Sequence, residues 1–182
     1  MYNVPYYKTN EFSFGPGILY AGAVGTTPTI DNTHDIGGVR SGASFVITRT
    51  MLDVMQGSPA TLVKRYVTAE TGVLTVTGIQ WNFPNFANAL GTSNISETDF
   101  EFGGSMEVED VALQFVHKSP AGYCHVLMLY LANGQGTLTI PFGDDLHEFE
   151  YAFSALATAS DWRGNTLAAG KQLFKITRTA VG

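Results

Sequence analysis

The sequence predicts an all-β protein of antiparallel strands with one short helix, and three observations carry that expectation. Between residues 112 and 178, short apolar runs alternate with turn residues at close spacing. That is the pattern of strands joined by tight connections rather than of helices. The run Leu146 to Phe153 alternates cleanly. Phe149, Tyr151 and Phe153 point one way and Glu148 and Glu150 the other, so one face is core and the other meets water. Glycine supplies 20 of the 182 residues, above the ordinary share of about 7%, which suits many turns and bulges.

Taken in order, residues 1 to 11 read as a loosely held arm and Gly17 to Val24 as a first strand. The loop Gly25 to Gly38 is rich in Thr, Asp, Asn and Gly. A second strand covers Ala43 to Thr50, with Phe45, Ile47 and Met51 on one face and Ser44, Thr48 and Thr50 on the other. Leu52 to Ala60 follows, broken by Gly57 and Pro59. Two further strands, Thr61 to Ala69 and Val73 to Trp81, are expected to meet at a turn, Glu70-Thr71-Gly72. Pro84 to Gly91 is the helix: Pro84 fits a first turn, Gly91 a left-handed stop, and Phe86, Ala87 and Leu90 share a face. Thr92 to Ser105 is a polar loop. The remaining strands are Met106 to His117, Tyr123 to Leu131, Gly136 to Ile140, Leu146 to Phe153 and Gln172 to Thr177, with Ser160 to Lys171 a loop. Tyr123 to Leu131 is apolar on both faces and should be covered on both, by its own core and by the helix or a neighbouring subunit.

One domain spanning 1–182 is the expectation at this length. Hydrophobic residues make up 45% of the chain and charged residues only 14%, against about 25% charged in an ordinary globular domain. A free surface so poor in charge sticks to itself, which points to an assembly that covers it. The longest apolar run, Tyr123 to Ala132, is half the roughly 20 residues of a spanning helix and contains His125. The N-terminal sequence MYNVPYYKTN has no basic end leading into an apolar core, so no secretory signal is expected. The single cysteine, Cys124, excludes an internal disulfide and reads as a small buried side chain.

No nucleophile elbow, phosphate-binding loop or dinucleotide fingerprint occurs, so no catalytic residue and no cofactor are assigned. Asp144, Asp145, His147, Glu148 and Glu150 cluster in sequence, but their spacing fits neither a Ca²⁺ loop nor a zinc motif, and no metal is expected. His34 and His117 are scattered. His125 reads as a satisfied buried histidine and His147 as a group with a carboxylate partner. Trp81, Trp162 and the tyrosines could form the sugar platform of a β-sandwich carbohydrate-binding module. Against this, Trp81 precedes the helix beside Phe83 and Phe86, a core position.

The order of the pieces resembles a known family. It runs from "FGPGILYAGAVG" through "DIGGVRSGASFVITRTMLDVMQGSPATLVKRYVTAETGVLTVTGIQWNFPNFANALG" to a strand, a Pro-Gly turn, a long apolar strand, a Gly-rich turn, "TIPFGDD", "FEYAFSAL" and a closing "LFKITR". This is similar to the bacteriophage major tail protein, the tail tube subunit of long-tailed phages. Where the family often begins its short helix with Glu, this chain has Gln80-Trp81-Asn82. The resemblance implies two packed antiparallel sheets in a sandwich or barrel with a flanking helix. It implies six subunits closed into a ring and rings stacked into a tube, the conduit for DNA delivery. It further implies contacts with other tail proteins (tape measure, terminator, baseplate or tip), assembly in the host bacterial cytoplasm and a final place in the virion tail. DNA passes without specific binding and no membrane partner is expected. The inner tube of a contractile tail or of a secretion-type injection machine shares this architecture and stays open as an alternative.

On that footing two sets of residues are candidates. Residues 50–61 form a candidate inter-ring loop, with Met51, Leu52, Asp53, Val54, Met55 and Pro59 as its key members. It is too apolar for a free loop, and we expect it to be mobile in the free subunit and to order against the next ring. The alternative is the tip of a surface β-hairpin. The second set comes from charge. Between Glu97 and Glu150 stand ten acids and one base, Lys118, a net of −9, and the rest of the chain carries a net of +3. Glu107, Glu109, Asp110, Glu148 and Glu150 are candidate lumen acids, since an acidic channel would let DNA pass where a basic one would hold it. The alternative is that they are solvated carboxylates on the outer face.

Overall fold

The computed structural model describes residues 17–31, 34–37, 39–93, 95–96, 98–119 and 122–180. The elements are β1 (Gly17–Gly22), β2 (Val39–Gln56), β3 (Thr61–Gly78), α1 (Phe83–Leu90), β4 (Asp110–Ser119), β5 (Tyr123–Gly134), β6 (Phe149–Ala155) and β7 (Lys175–Ala180). The expected arm, residues 1 to 11, lies outside the described residues. Every strand pairing is antiparallel, in the order β1-β4-β5-β6-β3-β2, with β7 added to β5.

β5 is where the sheet forks. One of its edges takes β4, while the other is shared: β7 pairs with Tyr123–Met128 and β6 with Ala132–Gly134. Two limbs result, β1-β4-β5-β7 and β6-β3-β2. The two expected sheets are therefore limbs of one hydrogen-bonded sheet. Between them lies the core. Leu19, Leu113, Leu127 and Leu129 from one limb meet Leu74, Val76, Phe149, Tyr151 and Phe153 from the other. The alternation read from β6 holds, with Phe149, Tyr151 and Phe153 fully buried and Glu148 and Glu150 exposed.

Helix α1 closes the core with Phe86, whose ring lies 5.0 Å from that of Phe149. Pro84 stands in its first turn, and Gly91 ends it at φ 64°, a conformation that glycine adopts without a Cβ penalty. The buried set is Asn85, Phe86, Ala87 and Ala89, wider than the expected face, and Leu90 is only half-buried. The polar member is satisfied: Asn85 Nδ2 donates to the carbonyl of Ile36 at 2.9 Å and ties the helix to the chain entering β2.

β5 is covered on both faces around Tyr130, but the outer cover is neither the helix nor a neighbouring subunit. Its outer face carries Tyr130, which packs with Ala112 beneath Trp162. The cover comes from the loop after β6. Trp162 is only 8% exposed, crosses Tyr130 edge-on at 5.4 Å between ring centres, and donates from Nε1 to the Tyr130 carbonyl at 3.4 Å.

Several boundaries differ from expectation. No turn occurs at Glu70-Thr71-Gly72. β3 runs straight through because β2 pairs with it on both sides of that point, Arg49 opposite Glu70 and Ile47 opposite Gly72. The small side of Gly72 instead admits the ring of Phe45. β2 continues past Thr50 to Gln56 for the same reason. Met106 is fully exposed, and β4 starts only at Asp110. Gly136 to Ile140 is not a strand, although Leu138 and Ile140 still pack against the core. β6 and β7 begin three residues later than read, because side-chain periodicity persists into coil while strand pairing does not.

Candidate assembly surface

The hairpin of β2 and β3 is the largest departure from an ordinary globular surface. Each strand has 18 residues, but β6 pairs only with Val73–Gly78 of β3. The other twelve residues of β3, Thr61 to Gly72, pair with β2 alone, a projection of about 40 Å at roughly 3.3 Å per residue. Residues 50–61 are therefore the far end of a hairpin rather than a loop. Met51 to Gln56 are strand, and only Gly57 to Ala60 make the turn, which contains a cis peptide bond before Pro59.

Cross-strand register fixes what each face of the hairpin presents. On one face Arg49 meets Glu70 at 2.5 Å, Met51 stands opposite Val67, Asp53 meets Arg65 at 2.7 Å and Met55 stands opposite Leu62. Ion pairs and apolar rungs alternate. The other face carries Leu52 opposite Tyr66 and Val54 opposite Lys64, whose ammonium lies 4.8 Å from the Tyr66 ring centre. Ten large apolar side chains of the hairpin are exposed: Val46, Ile47, Met51, Leu52, Val54, Met55, Leu62, Val63, Tyr66 and Val67. A lone two-stranded ribbon is marginal in water, which makes these exposed apolar side chains a candidate interaction surface. At the hairpin's base, segment 170–174 flanks a cleft of about 620 Å³ lined by Ile47, Val67 and Phe174.

The sheet also has open edges. Among the described residues, the outer edges of β2 and β7 lack a strand neighbour, an arrangement that favours pairing with other chains. β1 is instead capped by residues 34–36, with the Ala21 amide donating to the His34 carbonyl and the Ile36 amide to the Leu19 carbonyl, both at 2.9 Å.

The candidate lumen acids fall in two places. Glu107, Glu109 and Asp110 precede or open β4 beside the end of α1, where the Glu109 amide donates to the Gly91 carbonyl and its carboxylate accepts from Ser93 Oγ at 3.2 Å. Glu148 and Glu150 stand at the start of β6, Glu150 opposite Thr77 on the outward face. Register brings Asp110 into a row with Asn133, Ser154, Val73 and Val46 across five strands, while Glu107 and Glu109 stay outside the sheet.

Trp81 is not a core residue. It is 48% exposed and forms part of a surface with Phe142, which is 84% exposed at 5.8 Å between ring centres. Its inner side rests on Phe149 and Phe86, at 5.3 and 5.7 Å. Among the described residues His147 bonds to a ring and a backbone carbonyl rather than to a carboxylate. Its Nδ1 accepts from Trp81 Nε1 at 3.1 Å, so its Nε2 carries the proton and donates to the Gly143 carbonyl at 3.2 Å. Sequence reasoning missed this aromatic surface because Trp81 and His147 are 66 residues apart.

His125 also departs from expectation. It is half-buried opposite His117, and its Nδ1 is shielded without a hydrogen-bond partner among the described residues. Cys124 is half-buried. Among the described residues no group of three or more His, Cys, Asp or Glu side chains could hold a metal ion, and no helix is long and apolar enough to cross a membrane. Neither a protein-family model nor a curated protein matches the chain.

Proposed function

We propose that the protein is a structural subunit that polymerises into a hollow tube of stacked rings, the tail tube of a long-tailed bacteriophage. The observation that carries this reading is the unsupported β2–β3 hairpin with apolar side chains on both faces. A monomer exposes that surface to water, and a neighbouring copy covers it. Open edges at β2 and β7 favour lateral joining of sheets, and closure into a ring removes edges. A low charge content favours extensive contact between copies. The hairpin projects from one end of the subunit, and its contact with a different surface of the next copy is heterologous and propagates into a filament.

The test is assembly. Purified protein at rising concentration should form rings and then tubes by negative-stain microscopy and sedimentation. A variant in which Asp53 to Arg65 is replaced by an Asn-Gly turn should fold and stay monomeric, and normal tubes from it would count against the reading. In an assembled particle, Glu148→Lys with Glu150→Lys should slow DNA release while tubes still form. An unchanged release rate would remove these acids from the channel lining.

A further inference from the structure

Where the hairpin of one copy lands on the next follows from the direction of β3. From its first residue beside the turn, β3 runs 18 residues to Gly78, roughly 60 Å in extended form. Gly78 pairs with Phe149, and the chain then continues to Trp81, whose ring touches Phe149. The hairpin turn and the Trp81–Phe142 surface thus lie at opposite poles of one long strand. In a head-to-tail stack, the hairpin pole of each copy faces the Trp81 pole of its neighbour.

The Trp81 pole is built to receive something. Trp81 is clamped by two rings on its inner side and by the His147 hydrogen bond at its edge, so its exposed half is presented without further loss of side-chain freedom. On one side it walls a cleft of about 470 Å³ with Phe83, Pro84 and Ile95. On the other it meets Phe142. Exposed apolar rings of this kind dominate binding energy in interfaces.

Charge selects the occupant. The turn from Pro141 to Leu146 contains Asp144 and Asp145 and no lysine or arginine. Two such poles repel each other, which disfavours a symmetric pole-to-pole dimer. The hairpin face bearing Leu52, Val54 and Tyr66 carries one charge, Lys64, with no carboxylate partner among the described residues. Apolar side chains beside one ammonium complement aromatic rings beside carboxylates.

Resting on the tube reading above, we propose that the Trp81–Phe142 surface is the receptor for the hairpin end of a second copy. Leu52, Val54 and Tyr66 pack on the rings, and Lys64 faces Asp144 and Asp145. Three measurements test it. Phe142→Glu should leave the melting temperature unchanged and raise the concentration for half-maximal polymerisation at least tenfold. Lys64→Glu should weaken polymerisation by a similar factor, and adding Asp144→Lys and Asp145→Lys to the same chain should restore it. In a Cys124→Ser background, a mixture of Val54→Cys and Phe142→Cys proteins treated with a short bis-maleimide should give cross-linked dimers between the two variants. If the unaltered protein forms tubes and Phe142→Glu forms them at the same concentration, the receptor lies elsewhere and the tube function stands. If the unaltered protein forms no polymer at any concentration, both fall together.

Discussion

Gly134, the last residue of β5, lies directly beneath the carbonyl of Ala89 in the last turn of α1, with no room between them for a β-carbon. The amide of Gly136 donates to that same carbonyl at 3.3 Å, so the helix end is both seated on and bonded to the strand end. This seat sets the depth at which Phe86 enters the core.

Gly134→Ala therefore forces helix and strand apart. Overpacking against backbone costs about 2–3 kcal/mol, which for a chain of this size lowers Tm by roughly 5–10 °C. Thermal unfolding followed by circular dichroism measures it. An unchanged Tm would mean the helix seat yields freely.

Substitutions on the hairpin should separate assembly from stability. Leu52→Ser and Tyr66→Ser replace side chains that are exposed in the subunit, so each should shift stability by no more than about 0.5 kcal/mol. Polymerisation should nonetheless fall sharply. Sedimentation run beside thermal melts distinguishes the two effects, and a large loss of Tm with normal assembly would invert the assignment.

Asp161 anchors the loop that carries Trp162. Its carboxylate accepts from Asn165 Nδ2 at 3.0 Å and from the amides of Asn165 and Arg163 at 2.9 Å. These bonds, those from Asn165 first, hold its pKa below the ordinary 3.8. The folded value is depressed, so this stabilisation is complete above pH 3.8 and disappears as pH falls through the lower folded value. Asp161→Ala should loosen the loop already at neutral pH, seen as red-shifted, more quenchable Trp162 fluorescence in a Trp81→Phe background. The unaltered loop should show the same change only in strong acid.

Tyr151 sits at the centre of the core, and its hydroxyl is buried without a hydrogen-bond partner among the described residues. Tyr151→Phe removes an unsatisfied polar atom and should be neutral or stabilising by up to about 1 kcal/mol. Burial pushes the phenol well above its ordinary value of 10.0. The folded pKa is raised, so the stability linked to this group is intact below pH 10 and is lost as pH climbs above it. The Tyr151→Phe protein should accordingly lose less Tm than the unaltered one between pH 9 and 12. Equal losses would show that alkaline unfolding starts elsewhere.

Local pattern settled those features that depend on near neighbours in the chain. The period-two alternation of β6 named Phe149, Tyr151 and Phe153 as core, and Pro84 and Gly91 bracketed the helix, because both signals act within a few residues. The apolar excess of Met51, Leu52, Val54 and Met55 was equally visible. What only the tertiary structure decided were matters of pairing between distant segments. The strand partner of β3 turned Glu70-Thr71-Gly72 from a turn into the middle of a long strand. The division of β5's edge between β6 and β7 made two limbs of one sheet. The meeting of Trp81 with Phe142 and His147 created a surface that no stretch of sequence contains. Strand register and ring contacts join residues tens of positions apart, so they follow from how the whole chain satisfies its hydrogen bonds and fills its core at once.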